Sequence, residues 1–343
     1  MGDRSVQSMN VALIGAGRIG RLHARTISAD AGSRLAAIAD ADPQAARALG
    51  EEMGVETRDV EAVLADEAIH AILIASSTNT HADLIERGTA AGKAVFCEKP
   101  VDLALARAEA CATRVEATGE RVMIGFNRRF DPNFQALREA YVNGEIGQGE
   151  MLMITSFDPA PPPLTYITAS GGQFRDQMIH DFDIANWLWG MPKAVTAAGS
   201  CLVDPAIGEA GDTDTAIVIL HYADGRLATI RNTRRASYGH DQRIELLGAT
   251  GLIEVGNVTE STLIHRSAAG SRHSNPVHFF LERYMTAFDR EWRAFREALL
   301  SGGPMPVTVR DGVNALLLAE AAMHSLAEQK TIAITAINAQ ETG

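Results

Sequence analysis

A strand-like run at residues 11–14 feeds directly into Gly15-Ala16-Gly17-Arg18-Ile19-Gly20 and then into a helical stretch. Of all the features in the chain, this junction most limits what it can fold into. Glycines at this spacing let the backbone turn sharply and let a pyrophosphate approach a helix N-terminus. The pattern is weak alone, but Asp40 ends a second strand-like run at 35–39, twenty positions after Gly20. A carboxylate there accepts hydrogen bonds from an adenosine ribose and repels the 2′-phosphate of NADP, so NAD is the expected cofactor.

The same rhythm continues to about residue 127. Strands are expected at 71–75, 94–97 and 122–124, separated by helices at 19–29, 43–53, 81–91 and 103–118. Strand alternating with helix predicts a doubly wound parallel sheet of the Rossmann type over 9–127. With 343 residues the chain exceeds one ordinary core, and the pattern changes after Phe126. Residues 215–222 and 226–232 flank Ala223-Asp224-Gly225 as a hairpin, and 243–247 and 252–255 flank a second turn at 248–251. Helices at 131–142, 276–300 and 311–329 and a terminal strand at 331–336 complete an α+β domain over 128–343, with a large open antiparallel sheet. The prolines of 159–163 read as a stiff loop.

Charge and cysteine content narrow the partners. Forty-three acidic against 31 basic residues, a net charge of −12, disfavour nucleic acid and anionic membranes. No apolar run reaches the roughly 18 residues of a membrane span, the start, Met1 to Asn10, carries no export-like apolar core, and the first eight residues receive no structural role. Three cysteines, Cys97, Cys111 and Cys201, form no C-x-x-C pair, which fits a reducing cytoplasm and no metal site.

Three segments carry candidate chemistry. Ser76-Ser77-Thr78-Asn79-Thr80-His81 follows a strand end, where it reads either as lining for the dinucleotide or as a helix-capping turn. Glu98-Lys99-Pro100 occupies the same place after the next strand, where the proline restricts the lysine and makes it a candidate positioned charge. In the segment 171–190, Asp176, His180 and Asp183 are spaced i, i+4, i+7, so they share one stripe of an otherwise apolar helix. That stripe reads either as the lining of a cavity or, for Asp176 and His180, as an ordinary helical pair. A metal set of His180, Asp181 and Asp183 is weaker, because adjacent helical positions point apart.

Gly15-x-Gly17-x-x-Gly20, Glu98-Lys99-Pro100, Gly125-Phe126-Asn127-Arg128-Arg129-Phe130-Asp131-Pro132 and Gly171-Gly172-x-x-x-Asp176-x-x-x-His180-Asp181-x-Asp183 together resemble the glucose-fructose oxidoreductase/inositol dehydrogenase (Gfo/Idh/MocA) family. Within it, Asn232-x-x-Arg235-Ala236-x-Tyr238-Gly239-x-Asp241 and Phe279-Phe280-Leu281-Glu282-Arg283-Tyr284 are similar to the inositol dehydrogenase branch. The resemblance implies a catalytic group of Lys99, Asp176 and His180. It implies NAD contacts from Gly15, Gly17, Arg18, Ile19, Gly20, Asp40, Ser76, Ser77, Thr78, Asn79, His81, Glu98, Lys99 and Asn127. Arg129, Asp158, Asp183 and Tyr238 would bind substrate hydroxyls beside the catalytic group, with Tyr284 contributed by a neighbouring subunit. His240 stands where this branch would carry tyrosine. The expected reaction is oxidation of one secondary hydroxyl of a cyclic polyol, myo-inositol to 2-keto-myo-inositol, by a homotetramer. The alternatives are a scyllo-inositol or aldose dehydrogenase and a dinucleotide-binding sensor without turnover.

Overall fold

The computed structural model describes residues 8–119 and 121–341. Residues 1–7, most of the segment without an assigned role, lie outside the described residues. Val11 to Ile14 are apolar without alternation because a parallel strand flanked by helices is covered on both faces, and these four residues are at most 3% exposed. They end β1 (Met9–Ile14), which pairs in parallel with both β2 (Ser33–Ala39) and β3 (Ala71–Ile74). β4 (Ala94–Glu98) and β5 (Val122–Gly125) complete a five-stranded parallel sheet of order β2-β1-β3-β4-β5. The crossover helices are α1 (Arg18–Ala29), α2 (Pro43–Met53), the short α3 (Val60–Ala65), α4 (His81–Ala90) and α5 (Leu105–Thr118). Strand order reverses between β1 and β3, so the loops leaving Ile14 and Ile74 flank the crevice where open α/β sheets take ligands.

The chain forms two compact units, and the first takes Phe288–Val313 as well as the residues up to Phe126. The sequence boundary at 127/128 leaves that later segment with the second domain. Within the first unit Trp292 and Phe295 set their rings at 6.1 and 5.7 Å from Phe96, and Trp292 Nε1 donates to Ser33 Oγ at 3.0 Å.

The second unit comprises Asn127–Ala287 and Asn314–Gly343. Its helices are α6 (Pro132–Val142), α7 (Leu164–Ser170), α8 (Ile179–Trp189) and α9 (Pro205–Glu209), followed by α10 (Phe280–Ser301) and α11 (Val309–Glu328), which run across the unit boundaries. Its sheet contains β6 (Gly149–Phe157), β7 (Ala194–Ser200), β8 (Thr215–His221), β9 (Leu227–Thr233), β10 (Asp241–Gly248) and β11 (Gly251–Val255). Both expected hairpins form, with Thr215 opposite Thr233 and Gly248 opposite Gly251. With the two-residue β14 (Ile332–Ala333) the order is β11-β10-β6-β9-β8-β7-β14, and the sheet is mixed: β6 and β9 pair in parallel, the other neighbours antiparallel. A separate hairpin, β12 (Ile264–Ser267) with β13 (Gly270–His273), is exposed along its length.

The terminal strand expected at 331–336 is only β14 (Ile332–Ala333), after which α12 (Ile334–Glu341) begins. Exposed Leu252, Leu247, Met151 and Leu227 lie opposite one another in register across four strands, forming an apolar row. No helix among the described residues is long and apolar enough to cross a membrane.

Candidate active site

In the first unit the three loop glycines differ in what they tolerate. Gly15 has φ +109°, and a Cβ built on it falls 2.4 Å from the Ala75 carbonyl. A Cβ on Gly20 falls 1.8 Å from Gly15 O. Both glycines serve the local fold. Gly17, in contrast, has an ordinary φ of −69° and open space for a Cβ, yet it sits at the N-cap of α1 with no side-chain cap. First-turn N–H groups that no side chain caps, facing open space, fit a pyrophosphate. Asp40 Oδ2 accepts the Ala16 N–H at 2.6 Å and Oδ1 accepts the Asp42 N–H at 2.7 Å. A carboxylate accepts about four hydrogen bonds, so Asp40 can fix the loop and still receive a ribose diol. The loop therefore fits NAD, with Arg18 and Ile19 opening the helix beside it.

The ends of β3 and β4 are tied to this loop. Ser76 and Thr80 join hydroxyls at 2.7 Å, and Thr80 also donates to Ser77 O, which shapes the turn Thr78–Thr80 that leads into α4. Ser77 and Asn79 are exposed there, and Thr78 is half-buried. His81, expected on the cofactor, is instead 1% exposed, with Nδ1 at 2.8 Å from Pro100 O and Nε2 at 3.1 Å from Ser76 O. Burial pushes its pKa down against the pull of the two carbonyls, and the ring lies between the two strand-end loops. Glu98 Oε1 lies 2.7 Å from His23 Nε2 on α1, and Glu98 Oε2 accepts the Lys99 N–H at 3.3 Å. Half-buried Lys99 is thus held on both sides, through Glu98 and through Pro100. His23 was missed in the sequence, where it looks like any polar residue on an amphipathic helix.

The second unit corrects the single helical stripe. Gly171 and Gly172 both have positive φ, 88° and 82°, and a π-helical turn, Gln173–Gln177, follows them, with Met178 N–H bonding Gln173 O at 2.9 Å. Asp212 anchors the turn by accepting the Gln173 N–H at 3.0 Å on each oxygen. A Cβ on Gly172 would come within 2.6 Å of that carboxylate, which explains the second glycine. Asp176 lies on the π-turn and accepts the Tyr166 hydroxyl at 3.1 Å, while His180 lies in the first turn of α8. Both are half-buried.

Arg129 and Asp183, expected on substrate hydroxyls, bind each other: Nε lies 2.9 Å from Oδ2 and Nη2 2.6 Å from Oδ1, with 6% and 1% exposure. Asp181 pairs with Arg128 at 2.5 Å and accepts Asn232 Nδ2 at 2.9 Å. Burial pushes the Asp181 carboxyl up against the pull of Arg128. The two aspartates weighed above as metal ligands are therefore each held by an arginine. Asn127, expected on the cofactor, is 5% exposed and opens the turn Asn127–Phe130 that carries these arginines.

Of the outer substrate residues, Tyr238 is 43% exposed and donates to Asp241 Oδ2 at 2.6 Å, and Asp241 is also held by Arg243 and Asn257. Tyr284, expected to reach a neighbouring subunit, is 2% exposed within its own unit, beneath the guanidiniums of Arg283 and Arg128 at 4.9 and 5.7 Å. Burial pushes its hydroxyl up to about 12. Asp158 follows β6, with its N–H on Thr233 O at 2.9 Å and its Oδ1 3.3 Å from His240 Nδ1.

The family model described as oxidoreductase family, NAD-binding Rossmann fold, matches residues 9–126, and that of the GFO/IDH/MocA C-terminal domain matches 134–254. The chain is 47% identical to an inositol 2-dehydrogenase of Rhizobium meliloti, over 95% of this chain and 99% of that one. Among solved structures it is similar to a myo-inositol dehydrogenase of Corynebacterium glutamicum, with TM-score 0.91 and 40% identity over 95% of this chain and 98% of that one. It is also similar to a scyllo-inositol dehydrogenase of Lactobacillus casei with bound NAD(H) and scyllo-inositol, with TM-score 0.89 and 26% identity over 96% and 99%.

Proposed function

The chain belongs to the GFO/IDH/MocA oxidoreductase family, with an NAD-binding Rossmann domain, and from that membership we propose that it oxidises one secondary hydroxyl of a cyclic polyol, myo-inositol to 2-keto-myo-inositol. The observation that carries the substrate is the 47% identity, over nearly the whole of both chains, to an inositol 2-dehydrogenase. The glycine loop and Asp40 support the cofactor.

Such an oxidation removes a hydroxyl proton and a hydride from one carbon. Bound NAD supplies the hydride acceptor. His180 takes the proton, because imidazole as a class titrates near neutrality. Asp176, four residues before it across the π-turn junction, orients the ring and stabilises its charged form. The Lys99 ammonium holds the reacting oxygen and favours developing negative charge on it. The buried Arg129–Asp183 and Arg128–Asp181 pairs keep the segment that carries His180 in place.

We propose that the protein works as a homotetramer in the cytoplasm. The apolar row across the mixed sheet supports assembly, and free thiols at Cys97, Cys111 and Cys201 suit a reducing compartment. Sedimentation of the purified protein tests the tetramer.

The activity is tested by the rise in reduced-nicotinamide absorbance when NAD is mixed with myo-inositol, scyllo-inositol, glucose and their phosphates. Myo-inositol is expected to rank first. A phosphorylated sugar ranking first would overturn the reading, and no turnover on any ring would favour a sensor. His180→Ala should lower kcat by about 10²–10⁴-fold, with NAD affinity unchanged.

A further inference from the structure

The π-turn that carries Asp176 is clamped to one end of the mixed sheet from both sides. β8 and β9 close that end, with Thr215 opposite Thr233, and Arg234 N–H donates to Asp214 O at 2.9 Å. Asp212 and Thr213 lead into β8, and Arg234 leaves β9. At the start of the turn both Asp212 oxygens accept the Gln173 N–H, and Thr213 Oγ1 donates to Gln173 Oε1 at 2.7 Å. At its end Gln177 Nε2 donates to Ser156 O and Thr233 O, each at 3.3 Å. Gln173 is fully buried and Gln177 nearly so, and these two fixed residues bracket half-buried Asp176.

The Asp212 carboxylate carries a second load. Arg234 is 1% exposed, and its Nε and Nη2 have no hydrogen-bond partner among the described residues. Its ion pair is with Asp212, whose Oδ2 stands 3.7 Å from Nη2, too far for a hydrogen bond. A charge buried this deeply needs an opposite charge nearby, and Asp212 supplies it. Asp212 therefore serves two partners by different means: its lone pairs hold Gln173, and its negative charge balances Arg234.

The turn matters to the chemistry through its register. In an α-helix, residues i and i+4 lie on one face, one above the other. The bond from Met178 N–H to Gln173 O spans five residues, so Asp176 meets His180 at an angle that uninterrupted helical spacing does not give. The N–H groups of a first turn have no acceptor within their own helix. That of Gln173 finds one in a side chain 39 residues away.

We propose that Asp212 is a positioning residue for the oxidation: by holding the Gln173 N–H it sets the π-turn, and through the turn it sets where Asp176 stands relative to His180. This rests on the roles given to Asp176 and His180 above. Asp212 acts through the backbone of the turn and not on the reacting atoms.

The test is single-turnover reduction of NAD by myo-inositol, which separates chemistry from product release, beside steady-state KM values and thermal melts. The proteins are wild type, Asp212→Ala, Asp212→Asn and Thr213→Val. Alanine removes both acceptor and charge, whereas asparagine removes the charge and keeps an acceptor of the kind that caps helices well. Asp212→Ala should slow the single turnover on the order of 10- to 100-fold, the cost of misplacing a group by about 1 Å, with the KM for NAD unchanged. Both Asp212 variants leave Arg234 unbalanced and should melt at similarly lowered temperatures, yet Asp212→Asn should recover most of the rate. Rate then follows the acceptor while stability follows the charge, a split that a merely structural role does not produce. Thr213→Val keeps the Asp212–Arg234 pair and frees only Gln173 Oε1, so it should slow the same step by less than Asp212→Ala does.

A wild-type rate in Asp212→Ala overturns the proposal. So do equal losses of rate in Asp212→Ala and Asp212→Asn, which would tie rate to stability. If Asp212→Ala does not fold, Thr213→Val decides: a slowed single turnover in folded protein supports the proposal, and a wild-type rate overturns it. A wild type that oxidises no polyol overturns the parent reading and this one with it, whereas an active wild type beside indifferent variants overturns this proposal alone.

Discussion

Gly17→Ala separates what the fold needs from what the cofactor needs. Gly17 has φ −69° and ψ −169°, a region alanine adopts freely, and the added Cβ meets nothing within 4 Å. Two small terms act on stability. Restricting the unfolded chain stabilises by about 0.4–1 kcal/mol, and exchanging glycine for alanine at an N-cap costs roughly a few tenths to 1 kcal/mol. They nearly cancel, so without cofactor Tm should move by no more than about 3 °C.

The cofactor side is different. A methyl over the uncapped first turn of α1 pushes a phosphate away from N–H groups whose charge-assisted bonds contribute about 1.5–3 kcal/mol each. Loss of one such bond weakens NAD by roughly 10- to 100-fold. At an NAD concentration of about 100 times the wild-type Kd, binding adds about 2.7 kcal/mol to stability; after a hundredfold loss it adds about 0.4 kcal/mol. Thermal melts with and without NAD therefore give nearly equal apo values for the two proteins and a large NAD-induced rise only in wild type. Gly20→Ala is the contrast, because its Cβ would lie 1.8 Å from Gly15 O and must open the loop, lowering the apo Tm. The reasoning fails if Gly17→Ala destabilises the apo protein as much as Gly20→Ala does, or if its NAD-induced rise matches wild type.

Other perturbations test other parts. Asp40→Ser removes the carboxylate that would face a 2′-phosphate, so the ratio of kcat/KM for NAD over NADP should fall from at least about 100-fold; because Asp40 also holds the Ala16 N–H, the KM for NAD should rise as well. An unchanged ratio removes Asp40 as the selector. Asp183→Ala removes the carboxylate paired with the buried Arg129 guanidinium and should cost about 3–5 kcal/mol by urea unfolding, while Arg129→Met with Asp183→Leu should recover most of it. If the single and double changes cost the same, the pair is not the source.

Acid should undo the Asp214 anchor. Burial acts to raise that carboxyl, but the N–H groups of Leu202, Val203 and Asp204, together with the Cys201 thiol, outweigh it and hold the pKa at about 2. A depressed carboxyl adds stability that is complete above the unfolded pKa of about 4 and is lost as pH falls through the folded value. Asp214→Asn should thus cost on the order of 1–2 kcal/mol at neutral pH, and its deficit against wild type should vanish near pH 2. A deficit that persists in acid would contradict this.

Legibility in the sequence followed locality. The parallel sheet was readable because buried strands are short unbroken apolar runs and the glycine loop acts within a few residues. The π-turn was not: residues 173–189 carry ordinary helical spacing, and the anchor that forces the turn, Asp212, comes from far along the chain. β6 and β7 escaped because their alternation is irregular, and β12 and β13 because they are mostly polar. Charge pairing was hidden for the same reason. Arg129 and Asp183 read as ligand-facing groups, since nothing in a linear string reveals that they close on each other in a buried pair. His240 showed only as a departure from the expected tyrosine.

The return of Phe288–Val313 to the first unit bears on how the protein is made. When Phe126 leaves the ribosome all five parallel strands exist, but Phe96 lacks Trp292 and Phe295, Ser33 lacks the indole donor, and the Ile124 N–H lacks its acceptor, Val307 O. At about 5–20 residues per second, synthesis of the intervening chain takes on the order of ten to forty seconds. During that interval the nascent nucleotide-binding half presents an uncovered aromatic surface. A chain that stalls before Val313 is therefore a client for chaperones and proteases, however complete its early sequence looks.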